Sequence, residues 1–121
     1  NPIYRHTPAM SASAITPESA AALAGMMEKT VTHGTARKSF GTLSRDKVLS
    51  KLSIGGKTGS LSNREHTIKY DWFTGFAKEK NGSRAITFSV VVGHGEYIGT
   101  RAASHARALI KQYFLSRPRV D

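Results

Sequence analysis

At 121 residues with 39% hydrophobic content, the chain is sized for one domain with a modest core and is too short for two. Lys and Arg number 18 against 8 Asp and Glu, a formal charge of +10 that favours anionic partners, yet the charges are dispersed and no segment forms a basic arm. The absence of cysteine excludes disulfides, thiol catalysis and thiolate metal sites, and the longest apolar run, at Val90, Val91 and Val92, falls far short of the roughly 18 residues of a membrane span.

Residues 1–15 are polar, proline-bearing and aperiodic, which predicts a loop or linker. The opening Asn1-Pro2-Ile3-Tyr4 has neither the charged start nor the apolar centre of a signal peptide, so any export signal or anchor is expected upstream. From Thr16 the pattern predicts a helix over about 17–33. Thr16 suits the N-cap, Pro17 the first helical position and Glu18 the first turn, and Gly34 marks the end. Leu23, Met26, Met27, Thr30 and Val31 fall on one face and are expected to be core. Residues 35–53 carry weak apolar positions at Phe40, Leu43, Val48, Leu49 and Leu52 and remain ambiguous.

Three strand-like runs follow, at about 54–61, 70–78 and 85–93. Asn81-Gly82 between the second and third predicts an antiparallel hairpin. Thr100 is placed to cap a last helix, about 100–115, with Ala102, Ala103, Ala106, Leu109, Ile110, Tyr113 and Phe114 as its apolar stripe. Pro118 stops it, leaving 117–121 as a tail. The expectation is an α+β fold: a small antiparallel sheet of about three strands with the helices packed on one face, all within residues 16–116.

The most informative string is Ile54-Gly55-Gly56-Lys57-Thr58-Gly59-Ser60-Leu61. Strand side chains alternate, so Thr58 and Ser60 share a face, and with the Lys57 ammonium they are expected to converge on one anion. Gly56 and Gly59 would let a substrate backbone lie alongside. A phosphate-binding loop fails, because position 51 is Lys51 rather than the required glycine and a strand, not a helix, follows.

That string resembles the distal part of penicillin-binding transpeptidases, together with Thr32-His33-Gly34-Thr35-Ala36-Arg37 before it, Tyr70-Asp71-Trp72-Phe73-Thr74-Gly75-Phe76-Ala77 after it, and the Ser89–Gly93 strand entering a terminal helix. The likeness spans about residues 15–115, with four separated motifs in the family's order. It implies part of a D,D-transpeptidase fold that cross-links peptidoglycan through a serine acyl-enzyme built from Ser-x-x-Lys, Ser-x-Asn and Lys-Thr-Gly, the serine also being trapped by β-lactams. Lys57 would support the second motif electrostatically, and Thr58, Gly59 and Ser60 would bind the substrate, the two hydroxyls on its carboxylate. The Ser60 N–H would be one of two oxyanion donors. The implied partners are a D-Ala-D-Ala stem peptide, β-lactams and an upstream half of the domain or another chain, with no cofactor and no nucleic acid, at the periplasmic or extracytoplasmic face of a bacterial inner membrane. The family's two further strands would pair beside 85–93, whose Ile86, Phe88, Val90 and Val92 otherwise leave an open edge.

The sequence also departs from the family. Ser-x-Asn does not occur, and the single Ser-x-x-Lys, Ser44-Arg45-Asp46-Lys47, precedes the Lys-Thr-Gly strand, where the family's nucleophile comes far upstream. The chain alone is therefore expected to bind and not to react. The rival readings are a noncatalytic relative that recognises stem peptides and a basic nucleic-acid module stacking bases on Tyr70, Trp72, Phe73 and Phe76, residues more simply expected in the core. His6, His33, His66, His94 and His105 lack metal-ligand spacing, His94 is expected in a turn, and Asp71, His94 and a serine form a triad only on paper.

Overall fold

The computed structural model describes residues 3–116, so the expected tail at 117–121 and the first two positions lie outside it. The element order is α1 (Pro17–Thr32), α2 (Arg37–Phe40), two 3₁₀ turns (Leu43–Arg45 and Leu49–Lys51), β1 (Leu52–Ser62), β2 (Lys69–Glu79), β3 (Ala85–His94) and α3 (Ala102–Leu115). The strands form an antiparallel sheet in the order β1-β2-β3, and the α+β class read from the sequence is the one observed. Thr16 caps α1, its hydroxyl accepting from the Ser19 N–H at 3.2 Å. The ambiguous stretch becomes α2 and the two turns, which deliver Phe40 and Leu49 to the core.

Direct cross-strand partners share a face of a sheet, and the registers therefore sort every side chain. One face carries Ile54, Ala77 and Ile86 in one row and Thr58, Phe73 and Val90 in another. Here the core sits. Phe73 is fully buried, with its ring 5.6 Å from both Phe40 and Phe88, and α3 contributes Ala102, Ala103, Ala106, Ile110 and Phe114. The other face carries Gly55, Phe76 and Thr87. There Met27 of α1 and the Phe76 ring crowd against Gly55, and the Ser53 hydroxyl donates to the Glu28 carboxylate. The two long helices thus flank the sheet from opposite sides and do not share one face as expected, because β1 has a residue for each: Ile54 for the α3 layer and Gly55 for α1.

Two polar clusters fix the layers. Asp46 accepts from the Val48 and Leu49 N–H groups at 2.9 and 3.1 Å and pairs with Lys111 at 2.7 Å and Arg107 at 3.3 Å, tying the 3₁₀ segment to α3. The Lys111 ammonium, followed by those two amides, holds the Asp46 carboxyl far below the usual carboxylate range. At the hairpin, Arg84 pairs with Glu79 at 2.8 Å and donates to the Phe114 and Ser116 carbonyls at 3.2 and 3.1 Å, so one guanidinium occupies carbonyls at the end of α3. The hairpin closes through a four-residue loop, 80–83, with Glu79 N–H donating to Arg84 C=O at 3.0 Å.

Several side chains expected inside lie outside. Leu23 and Met26 on α1 and Leu109 and Tyr113 on α3 are exposed, although they belong to the predicted stripes. Thr100 does not cap α3; the helix starts after Arg101, and the Asp71 carboxylate reaches from β2 to accept the Ala102 N–H at 2.7 Å. Among the described residues no helix is long and apolar enough to cross a membrane.

Candidate functional site

β1 changes character along its length. Leu52, Ile54, Gly55 and Gly56 are buried, whereas Lys57, Ser60, Leu61 and Ser62 are exposed, so the motif leaves the core as it enters the groove. Gly56 is glycine for an internal reason: a Cβ there would run into the Phe73 ring. This corrects the expectation that its missing side chain serves a substrate. At Gly59 a Cβ would meet only the Trp72 Cβ, at an ordinary 3.6 Å, which leaves room beside the strand.

β1 is an edge strand, and its ladder shows which backbone groups are free. In register with β2, Asn63 N–H donates to Ile68 C=O and Lys80 N–H donates to Lys51 C=O, each at 3.0 Å. Antiparallel pairs alternate between bonded and outward-facing residues, so the odd positions of β1 bond to β2. The even ones, Thr58 and Ser60 among them, turn N–H and C=O to the free edge. The Ser60 N–H, implied as an oxyanion donor by the family resemblance, points out of the sheet.

The side chains follow the same parity. Thr58 and Ser60 share the α3 face as expected, and the Thr58 hydroxyl lies 2.9 Å from that of Thr35, in the turn between α1 and α2. Lys57 lies on the other face, and its ammonium donates to the Thr58 carbonyl at 2.9 Å. The three groups therefore do not converge on one point. The alternation that joins the hydroxyls also parts them from the lysine.

Two adjoining compartments lie beside the hydroxyls. One, of about 360 Å³, is lined by Thr35, Lys38, Ser39, Thr58, Ser60, Asp71, Arg101 and Ala103. The second, of about 340 Å³, is lined by Ser60, Leu61, Ser62, Lys69, Tyr70, Asp71, His94, Ile98 and Arg101. They share Ser60, Asp71 and Arg101. Three cations and a row of hydroxyls face a single acid, and Asp71 is engaged at the start of α3, so the groove suits an anion.

His94 is not in a turn but closes β3, buried, because its partner position is Lys69 at the foot of β2. Its Nδ1 accepts the Gly99 N–H at 3.0 Å, which places the proton on Nε2, buried, unpartnered and 3.9 Å from Asp71 Oδ2. Nδ1 is thus committed to Gly99, and Nε2 faces Asp71 without a hydrogen bond. Among the described residues no serine is hydrogen-bonded to His94, as a hydrolytic triad requires. Ser44 and Lys47 are exposed around a 3₁₀ turn, and Ser44 lines a separate depression with His33 and Arg37. Among the described residues no group of His, Cys, Asp or Glu is placed to hold a metal ion.

From the sequence, Arg101, Lys38 and Lys69 read as surface charge, and Asp71 as part of a motif and of a triad on paper. Only the register of β2 and the docking of α3 bring them to Ser60, so no local signal marked them. At the far side of the sheet, β3 has an edge that is unpaired among the described residues. Glu79 pairs with Arg84 in the bonded phase, so Thr87, Ser89 and Val91 turn their backbone groups outward. Beside them an apolar groove of about 370 Å³ runs between Ile86, Phe88 and Val90 of β3 and Leu109, Ile110 and Tyr113 of α3. No family model, no curated protein and no solved structure matches this chain.

Proposed function

We infer that the chain is the substrate-binding C-terminal portion of a penicillin-binding D,D-transpeptidase, a part that cross-links peptidoglycan only when another segment supplies the attacking serine. One observation carries this. The Lys-Thr-Gly-Ser segment is a free-edged strand that offers two hydroxyls and outward N–H groups to a cationic groove. An extended peptide ending in a carboxylate fits such an edge, as a further strand with its terminus among the hydroxyls. Thr58, Gly59 and Ser60 bind the D-Ala-D-Ala terminus or a β-lactam, the Ser60 N–H is one oxyanion donor, and Lys57 supports the hydroxyl of the absent second motif. The reaction belongs to the extracytoplasmic face of a bacterial inner membrane.

Ser60 has no hydrogen-bonded base among the described residues, which supports assigning attack to another segment. That segment, upstream or on another chain, also supplies strands to the open edge of β3 and apolar cover for its groove. The nucleic-acid alternative loses support on its aromatics. Phe73 is core and Phe76 is half-buried beside α1, leaving Tyr70 and Trp72 exposed.

Fluorescent penicillin tests the division of labour. It should label the complete transpeptidase and leave the 121-residue chain unlabelled. Covalent attachment to Ser44 or any other serine of this chain would refute it. A complete protein that binds stem peptides and never takes the label would instead favour the noncatalytic relative, and steeply salt-dependent binding of single-stranded nucleic acid would favour the third reading.

A further inference from the structure

Taking as its basis the reading of the β1 edge as a carboxylate site, we propose that Arg101, and not Lys57, is the counter-ion that holds the ligand's terminal carboxylate and so selects a free C-terminal acid. The parity of β1 is the first ground. Thr58 and Ser60 face the groove, whereas Lys57 leaves from the opposite face with its ammonium 2.9 Å from the Thr58 carbonyl. A cation on the hydroxyl side must therefore come from another element.

Arg101 meets that need. It stands immediately before α3, is exposed, and lines both compartments where they meet at Ser60. Its guanidinium makes no ion pair or hydrogen bond among the described residues, whereas Arg84 and Arg107 are both bound to carboxylates. The acid that would neutralise it is committed elsewhere. Asp71 Oδ2 takes the Ala102 N–H at 2.7 Å and lies 3.9 Å from the proton-bearing Nε2 of His94, a buried nitrogen with no hydrogen-bond partner. Asp71 is thereby held to the start of the helix, and the arginine is left to the groove. A planar guanidinium presents paired N–H groups that match a carboxylate, while the two hydroxyls donate from the strand beside it. Lys38 and Lys69 each line one compartment only and do not share the junction.

The test is an NMR titration of the 121-residue chain with an N-acylated D-Ala-D-Ala dipeptide and with its C-terminal amide, followed at the Ser60 and Ser62 amides. Wild type should prefer the acid by about tenfold, the effect of one charge-assisted hydrogen bond. Arg101→Met should erase that preference, Arg101→Lys should keep part of it, and Lys57→Met should leave it intact. Arg101 is exposed, so these variants should keep the wild-type spectrum. An acid preference that survives Arg101→Met but falls with Ser60→Ala overturns the role of Arg101 and leaves the groove standing. Failure of wild type to bind either dipeptide removes the groove as well.

Discussion

Among the described residues the two edges of the sheet are both unpaired, and their chemistry is opposite. The β1 edge presents Thr58 and Ser60 beside Thr35, Lys38 and Arg101, and the β3 edge presents Thr87, Ser89 and Val91 beside Ile86, Phe88, Leu109 and Tyr113. A polar edge with cations suits the small anionic peptide proposed for it, because a ligand carboxylate can replace water on its hydroxyls and cations. The β3 edge, free of charge from Ala85 to Gly93 and set beside an apolar groove, suits a strand of protein. The comparison teaches that an open edge declares its occupant through the side chains around it, not through its backbone.

Both edges depend on the core between them, so the largest effect belongs to Phe73. Phe73→Ala should cost about 3–5 kcal/mol in urea unfolding and disorder the two edges together. Loss of only one edge would show that they fold separately. Next comes a pair on β3. Val90 bonds to β2 while Ser89 faces outward, so Val90→Pro should cost about 3 kcal/mol or more, and Ser89→Pro far less. On the proposed reading, Ser89→Pro should nevertheless block the addition of a further strand at this edge. Equal unfolding midpoints for the two proline variants would show the ladder phase to be reversed.

Asp46→Asn is of intermediate size, about 2 kcal/mol, because it removes charge-assisted bonds to Lys111 and Arg107. Its sign with pH is fixed. The folded carboxyl titrates below the unfolded one, so its contribution is complete above the ordinary carboxylate range and fades as pH falls toward the folded value. Wild type should lose stability across that acid window, and Asp46→Asn should lose less. The smallest effect is at the tip. Ser60→Ala should change stability by no more than about 0.5 kcal/mol, since the side chain is exposed, yet it should weaken binding of the acylated dipeptide several-fold.

The sequence made the backbone of this molecule legible and its layers much less so. Alternation and the Asn81-Gly82 loop placed the strands to within two residues, and Thr16 announced α1 through its hydroxyl. Periodicity showed that Leu23 and Met26 share a stripe with Val31, but a stripe does not say how far along it the neighbour reaches. The sides taken by α1 and α3 follow from Gly55 and Ile54, adjacent in sequence and opposite in space. In the groove, Thr58 and Ser60 were visible because strand period alone aligns them. Arg101 was not, since its place at Ser60 depends on α3 docking through the Asp71 carboxylate, 31 positions before Ala102.

The most direct measurement is amide hydrogen exchange of the chain with and without an N-acylated D-Ala-D-Ala dipeptide. Slower exchange at Thr58 and Ser60, with Thr87, Ser89 and Val91 unchanged, is the expected result. Protection on the β3 edge instead, or on neither, would contradict the assignment of a peptide-binding edge to β1.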